Sequence, residues 1–344
     1  MTDTAHRVVL AARPEGRATT DHLRHESFDL PEPGPGEVLL RTIWLSLDPY
    51  MRGRMSDAKS YATPVAIDET MTGQTVGEVI ASNHDGFAPG DIATGMTGWT
   101  DRAVMKGDEL RKLDPTRAPL QTALGILGMP GMTAWTGLTR ILEAKKGQTI
   151  VISAATGAVG SVAGQLAHAR GLRVVGVAGG PEKCAHATGN LGYDTCIDHH
   201  AHADGEAMAR AIGEAAPNGV DLYFENVGGK TLAGVVPNMN DHGRIAICGM
   251  VAWYAGENLE DAISGPTIWR NLLTRKLRAE GFIIFDHWDR FPTFLDEVAP
   301  MVADGTITYR ESVTDGLENA PKAFVGMLAG DNFGKTLVRV GPDP

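Results

Sequence analysis

Cysteine is scarce: Cys184, Cys196 and Cys248 are the only three in 344 residues, and none stands in a Cys-x-x-Cys spacing. That pattern excludes a disulfide framework and a structural four-cysteine zinc site. Histidine offers no better metal signal. The densest cluster, Asp198-His199-His200-Ala201-His202, follows a predicted strand and reads as a solvated loop. Long apolar runs are missing as well. No stretch approaches the roughly 20 residues needed to span a bilayer, and the opening residues, MTDTAHRVVLAARPEG, lack the apolar region of a signal peptide. There is no excess of basic charge: 31 Lys and Arg stand against 42 Asp and Glu, a formal net charge of −11 with a pI near 5.5. Such a balance disfavours nucleic acid or an anionic membrane as the main partner. No repeat of 20–50 residues and no low-complexity tract is found. The expectation is a cytoplasmic protein that acts on a small molecule.

What is present is one well-formed βαβ signature. Thr149-Ile150-Val151-Ile152 is a short β-branched run suited to a buried parallel strand. A small-residue turn, Ala154-Ala155-Thr156-Gly157-Ala158-Val159-Gly160, leads into a helical segment, Ser161–Arg170, that Gly171 stops. A second strand, Arg173–Val177, closes the unit. Gly157 and Gly160 let a backbone turn sharply and let a pyrophosphate approach it, above the N-terminus of the following helix. Gly164, one turn later, would let that helix pack tightly on the strand. The motif departs from G-x-G-x-x-G at its first glycine, where Ala155 stands. Its alternative reading is an ordinary tight strand-to-helix turn, which the correctly placed flanking elements disfavour.

The end of the second strand selects the cofactor. An NAD site carries an Asp or Glu there for the ribose 2′-hydroxyl. Here the chain reads Ala178-Gly179-Gly180-Pro181, with no carboxylate before Glu182 and with Lys183 next. Gly179 and its neighbour make room and Lys183 supplies a cation for a 2′-phosphate, so NADP(H) is favoured. A solvated lysine at a helix start is the alternative for Lys183.

A chain of this length calls for two domains. The first 125 or so residues carry strand patterns at 37–45, 73–82, 87–93 and 98–104, separated by Gly/Pro turns, which suggests a small β-barrel-like domain. Gly77 marks a bulge or a close backbone approach. Tyr50, in Leu47-Asp48-Pro49-Tyr50-Met51-Arg52, either donates a phenolic hydrogen bond to a substrate oxygen or packs on the proline turn. The Gly/Met-rich stretch 125–137 marks the crossing into the second domain, with Thr133 a candidate nicotinamide contact. Beyond the first βαβ unit, strands at 195–198, 221–227, 243–249 and 277–285 alternate with helices at 205–216, 230–239 and 266–275, giving a doubly wound parallel sheet. Ligands in such sheets lie beyond the C-terminal strand ends. That places Asn226, Gly249 and Phe282-Ile283-Ile284 on the cofactor side, although core packing accounts for those three apolar residues equally simply. Residues 289–304 form an amphipathic helix, and β-like stretches at 307–311 and 335–340 return the chain to its first domain. Asn332 either reaches the cleft or only forms its turn.

Taken together, Leu47–Arg52, AATGAVGS, FENVGG, ICG and DNFGK resemble the zinc-independent branch of the medium-chain dehydrogenase/reductase superfamily, that of prostaglandin and plant alkenal double-bond reductases. The runs CIDHHA, EGFIIFD and DGLENAP narrow the resemblance to its bacterial curcumin reductase group. The resemblance implies a Rossmann domain, 128–310, inserted in a GroES-like domain formed by 1–127 and 311–344, and a homodimer paired near 277–285. It implies pyrophosphate contacts at Gly157, Ala158, Val159 and Gly160, and a 2′-phosphate contact at Lys183. Asn226, the segment from Cys248 and Gly249 to Tyr254, Phe282–Ile284 and Asn332 would surround the rest. His199 stands where relatives carry a cofactor-contacting Tyr, so that contact is left open. Where zinc alcohol dehydrogenases carry Gly-His-Glu, this chain reads Gly73-Gln74-Thr75.

The implied reaction is metal-free, NADPH-dependent reduction of a C=C bond conjugated to a carbonyl, with hydride delivered to the β-carbon. Tyr50 or Tyr254 is the expected donor to the enolate oxygen. An NADPH quinone oxidoreductase and a non-catalytic NADPH-binding sensor remain the alternatives.

Overall fold

A computed structural model of the chain describes residues 3–257, 259 and 262–344, and divides into two compact units. One comprises Ile126–Arg310; the other joins Met1–Gly125 to Glu311–Pro344.

The Ile126–Arg310 unit is built on six strands: β1 (Thr149–Ser153), β2 (Arg173–Ala178), β3 (Thr195–Asp198), β4 (Val220–Glu225), β5 (Met239–Ile247) and β6 (Arg278–Gly281). They lie parallel in the order 3-2-1-4-5-6, the Rossmann arrangement. The order reverses between β1 and β4, which opens a crevice at their C-terminal ends. Helices α1 (Met129–Thr136), α2 (Gly160–Ala169), α3 (Pro181–Asn190), α4 (Gly205–Ala215), α5 (Gly229–Val235), α6 (Gly265–Thr274) and α7 (Phe291–Ala303) complete the unit. Strand residues alternate between two apolar cores. Ile150, Ile152, Leu222 and Phe224 enter one, while Val151, Val175, Tyr223 and Ile245 enter the other. Both faces of the central strands are therefore buried, as parallel strands require.

Three expectations for this unit need correction. The strand expected over 277–285 is only Arg278–Gly281, because the chain leaves the sheet edge to bury Ile284 in the core and enters a 3₁₀ turn at 284–290. The helix expected to reach residue 239 ends at Val235, where a 3₁₀ turn containing Pro237 takes over; Met239 already opens β5. Gly164 does not serve close packing on a strand. A Cβ there would lie 2.2 Å from Cε2 of Tyr193, so the missing side chain makes room for that ring.

The other unit is mostly β. A hairpin pairs Asp3–Leu10 with Leu23–Leu30, and a seven-stranded sheet holds Glu37–Leu47 at its centre. Gly77 does mark a close approach: a Cβ there would sit 2.8 Å from the Arg41 carbonyl, where the register with Glu37–Leu47 shifts. The returning β-like stretch pairs as Glu311–Asp315, not 307–311, and runs parallel to Lys335–Arg339. A helix that the patterning did not locate, Ala320–Ala329, links them, with Pro321 in its first turn and Gly330 in the left-handed conformation at its end.

Lys335 begins the last strand and is fully buried. Its Nζ donates to the Leu47 carbonyl at 2.6 Å and to Asp48 Oδ1 at 2.9 Å, while Ser46 Oγ donates to Asp48 Oδ2. Burial pushes the lysine below its usual range, against the pull of Asp48. Removing one partner of such a pair strands the other charge. Lys335→Met is expected to lower the unfolding free energy by about 3–5 kcal/mol in urea titrations, and adding Asp48→Asn to recover part of the loss.

Candidate active site

The small-residue turn occupies the C-terminal end of β1. Ala154 adopts φ +51°, a conformation uncommon for a residue with a side chain, and its carbonyl accepts from Gly157 N at 2.9 Å. That carbonyl also fixes the glycines: a Cβ on Gly160 would lie 2.2 Å from it and one on Gly157 3.2 Å from it. Tyr193 holds the far side, its hydroxyl donating to the Gly160 carbonyl at 2.8 Å with the Ala155 carbonyl at 3.2 Å. Gly157, Ala158 and Val159 stay half-exposed, and α2 starts with no side-chain cap. An uncapped, carboxylate-free helix start next to a Cβ-free backbone is a cradle for a phosphate group.

At the end of β2, Gly179 and Gly180 lead into α3, and Lys183 is its third residue. Gly180 N and His200 N both donate to Asp198 Oδ1, at 2.8 and 2.9 Å. Burial alone would raise the Asp198 carboxyl, but these N–H groups and the two imidazoles outweigh it and hold it below the usual range. His199 is pushed down to about 4, first by burial and then by the charges of His200 and Lys230.

The ends of β4 and β5 converge on a buried carboxyl. Glu225 Oε1 accepts from Val227 N at 2.6 Å, Gly228 N at 3.0 Å and Ser153 Oγ at 3.0 Å. Ser153 Oγ in turn accepts from Asn226 N at 2.8 Å, and Asn226 Nδ2 donates to the Ser153 carbonyl at 2.8 Å. Burial raises the Glu225 carboxyl, offset in part by the two backbone N–H groups. Cys248 N and Gly249 N donate to the Glu225 carbonyl, and the next loop folds back so that Val251 N and Ala252 N reach the carbonyls of Asn226 and Val227. Tyr254 closes this loop, its hydroxyl accepting from Met250 N at 3.4 Å. Burial pushes the Cys248 thiol up to about 12, so it is protonated at neutral pH and no nucleophile.

The structure thus brings Asn226, Cys248, Gly249 and Tyr254 together. Thr133 is buried in α1 with its hydroxyl donated to the Met129 carbonyl at 2.7 Å. Phe282 packs against the ring of Phe224, Ile283 is half-exposed and Ile284 belongs to the core. Tyr50 and Asn332 lie in the β-rich unit. Asn332 Nδ2 donates to the Gly334 carbonyl and so shapes its own turn. Tyr50 opens a one-turn helix, Tyr50–Arg54, after Pro49. The buried Arg54 guanidinium stands 5.6 Å from the Tyr50 ring centroid and 4.4 Å from that of exposed Tyr61. Burial keeps the Tyr50 phenol protonated, with Asp48 acting in the same direction. Among the described residues, no group of His, Cys, Asp and Glu side chains is placed to hold a metal ion.

Residues 6–113 match the family description "N-terminal domain of oxidoreductase", and residues 158–300 match "Zinc-binding dehydrogenase". The chain is 47% identical to the NADPH-dependent curcumin reductase of Escherichia coli over 98% of its length and 97% of that protein. The chain belongs to the medium-chain dehydrogenase/reductase superfamily, in its prostaglandin and alkenal reductase branch. A tobacco (Nicotiana tabacum) 2-alkenal reductase (NADP(+)-dependent) is 40% identical over 89% of this chain and 88% of that protein. The crystal structure of CurA in complex with NADPH from Vibrio vulnificus superposes with a TM-score of 0.93 at 46% identity, covering 98% of this chain and 100% of that one. The Rossmann sheet with a separate mostly-β unit is the architecture of this superfamily.

Local patterning gives no sign of Ser153, Tyr193 or the role of Glu225, although FENVGG contains that carboxyl. Glu225→Ala would leave the Val227 and Gly228 N–H groups buried and unpaired, with an expected stability loss of about 3 kcal/mol in urea unfolding. Glu225→Gln keeps the Oε1 acceptor and is expected to lose less than half of that.

Proposed function

We propose that this medium-chain dehydrogenase/reductase reduces the C=C bond of α,β-unsaturated ketones and aldehydes with NADPH. The observation that carries this reading is kinship along the whole chain, at 46–47% identity, with a curcumin reductase and with CurA in complex with NADPH. The 2-alkenal and (+)-pulegone reductases among its relatives point to the same bond type. The chain's own residues suit the cofactor. The Ala154–Gly160 turn would cradle the pyrophosphate, Lys183 beside Gly179 would meet the 2′-phosphate, and Asn226, Cys248, Gly249 and Tyr254 would border the nicotinamide end. Thr133, Phe282, Ile283 and Asn332 are proposed to complete the contacts. Ile284 would act only through the core that supports them.

When bound, NADPH supplies a hydride to the β-carbon of the conjugated bond. As negative charge builds on the carbonyl oxygen, a preorganised hydroxyl donor stabilises it, a role proposed for Tyr50 and Tyr254. Their phenols suit it differently. Tyr50 is held protonated by burial, whereas Tyr254 sits half-exposed at the end of a loop braced on Asn226 and Val227. No acid of low pKa is needed, because the α-carbon can be protonated from water.

We also propose a homodimer in the cytoplasm. β6 is the exposed edge of its sheet, and α6 exposes Trp269 (72%) and Leu273 (79%), apolar surface that a second copy would cover.

With NADPH and a set of enones, 2-alkenals and a simple quinone, mass analysis is expected to find saturated carbonyl products. Quinone reduction alone would overturn the reading. Tyr50→Phe or Tyr254→Phe, whichever is the donor, should lower kcat/KM on an enone about 100- to 1000-fold, and two variants at wild-type rate would remove both assignments. Trp269→Lys combined with Leu273→Lys should convert a dimer to a monomer in sedimentation.

A further inference from the structure

Lys183 has an assigned partner in the reading above, but the imidazoles beside it do not. His199 and His200 follow Asp198 at the end of β3, with ring centroids 4.2 Å apart in an edge-on arrangement. Gly179 is what admits both rings. A Cβ at that position would lie 3.0 Å from Nε2 of His199 and 3.0 Å from Cε1 of His200.

The groups that face His199 come from three elements. Its own turn provides His200 and Asp198, α3 provides Lys183, and α5 provides Lys230, whose Nζ is anchored on the His202 carbonyl at 2.8 Å. Two are lysines and one is a second imidazole, and all three disfavour a charge on His199; only Asp198 opposes them. Asp198 already accepts from the backbone of Gly180 and His200. The half-buried imidazole is therefore neutral at pH 7, held so by burial and by its cationic neighbours. A dianion arriving at this edge reverses that balance, since an opposite charge within a few ångströms favours the protonated ring.

We infer that His199 is a proton-linked specificity residue for the 2′-phosphate of NADP(H), taking up a proton as the phosphate binds at the Gly179–Lys183 edge. The inference rests on the reading of this unit as an NADP(H) site and adds to it a pH dependence of cofactor choice. The sign follows from linkage. A ring that is neutral in the free protein and protonated in the complex makes affinity highest at low pH. Affinity then falls by up to about tenfold per pH unit until the pH passes the bound-state pKa. NADH has no 2′-phosphate and escapes this slope. A phosphate monoester has its own second pKa near 6, so at pH 7.5 each phosphate of the ligand is already dianionic and proton uptake there belongs to the protein.

The test is calorimetric titration of the full chain with adenosine 2′,5′-bisphosphate at pH 7.5, in two buffers of different ionisation enthalpy. NADPH and NADH dissociation constants would be measured alongside from pH 6.5 to 8.5. Wild type is expected to take up a fraction of a proton and to lose NADPH affinity as pH rises. His199→Gln should abolish the uptake, weaken NADPH about tenfold, as loss of one charge-assisted hydrogen bond implies, and leave NADH unchanged. Retained NADH binding also certifies that the variant folds. His200→Gln should preserve the uptake. No uptake by wild type, or equal uptake by His199→Gln, with NADPH still bound, overturns the inference alone. Failure of wild type to bind either phosphorylated ligand overturns the cofactor reading with it.

Discussion

A buried carboxyl on the central strand sets the geometry of the C-terminal end of the sheet. Glu225 ties the first turn after β4 to Ser153 at the end of β1, and Ser153 returns the tie to Asn226. The two strands that flank the reversal in strand order are thus pinned where the crevice opens. Each turn that leaves them, Ala154–Gly160 on one side and Asn226–Gly229 on the other, starts from a fixed point. The 248–254 loop then hangs on the carbonyls of Glu225, Asn226 and Val227, so its position follows from the same carboxyl. Burying a carboxyl is costly unless its oxygens are hydrogen-bonded; here two backbone N–H groups and Ser153 Oγ occupy Oε1, while Oε2 is buried without a hydrogen-bond partner among the described residues.

The β-rich unit solves a similar problem by other means. Its closing strand inserts Lys335 beneath the end of Glu37–Leu47, where the Leu47 carbonyl and Asp48 receive it just ahead of Tyr50. The proline turn that carries the phenol is therefore fixed by a residue nearly 300 positions away in sequence. Arg54 then shares its guanidinium between the rings of Tyr50 and Tyr61, which keeps a cation beside the phenol without titrating it. The chemistry proposed for the chain calls on positioned hydroxyl donors and a bound cofactor.

Elements whose period and punctuation agree were legible in the sequence. β1, α2 and β2 follow from a β-branched run, a glycine turn and a helix stopped by Gly171. The doubly wound parallel sheet follows from regular alternation of strands and helices, whereas its strand order is seen only in the fold. What could not be read were contacts between residues distant in sequence. Gly164 was expected to face a strand, but nothing local reveals that the ring of Tyr193, 29 positions on, fills that space. β6 ends early because burying Ile284 outweighs continuing an exposed edge strand, a tertiary choice invisible to a run of β-formers. Lys335 reads as part of a turn motif, and only the fold shows it as a buried cation. His199 reads locally as one member of a solvated loop, and only the fold shows Gly179 seating its ring. The cofactor preference was legible for the opposite reason, since it rests on a missing carboxylate and a neighbouring lysine within a few residues of one strand end.

The reaction proposed for this chain turns on direct hydride delivery from NADPH to the β-carbon of an enone. It is tested most directly by turning over one enone with NADPH deuterated at C4 on each face in separate reactions, and locating the label by mass and NMR. A saturated ketone with deuterium on the β-carbon is expected from one labelled cofactor and none from the other. Deuterium on the carbonyl carbon of an allylic alcohol, or a saturated product without label from either cofactor, would contradict it.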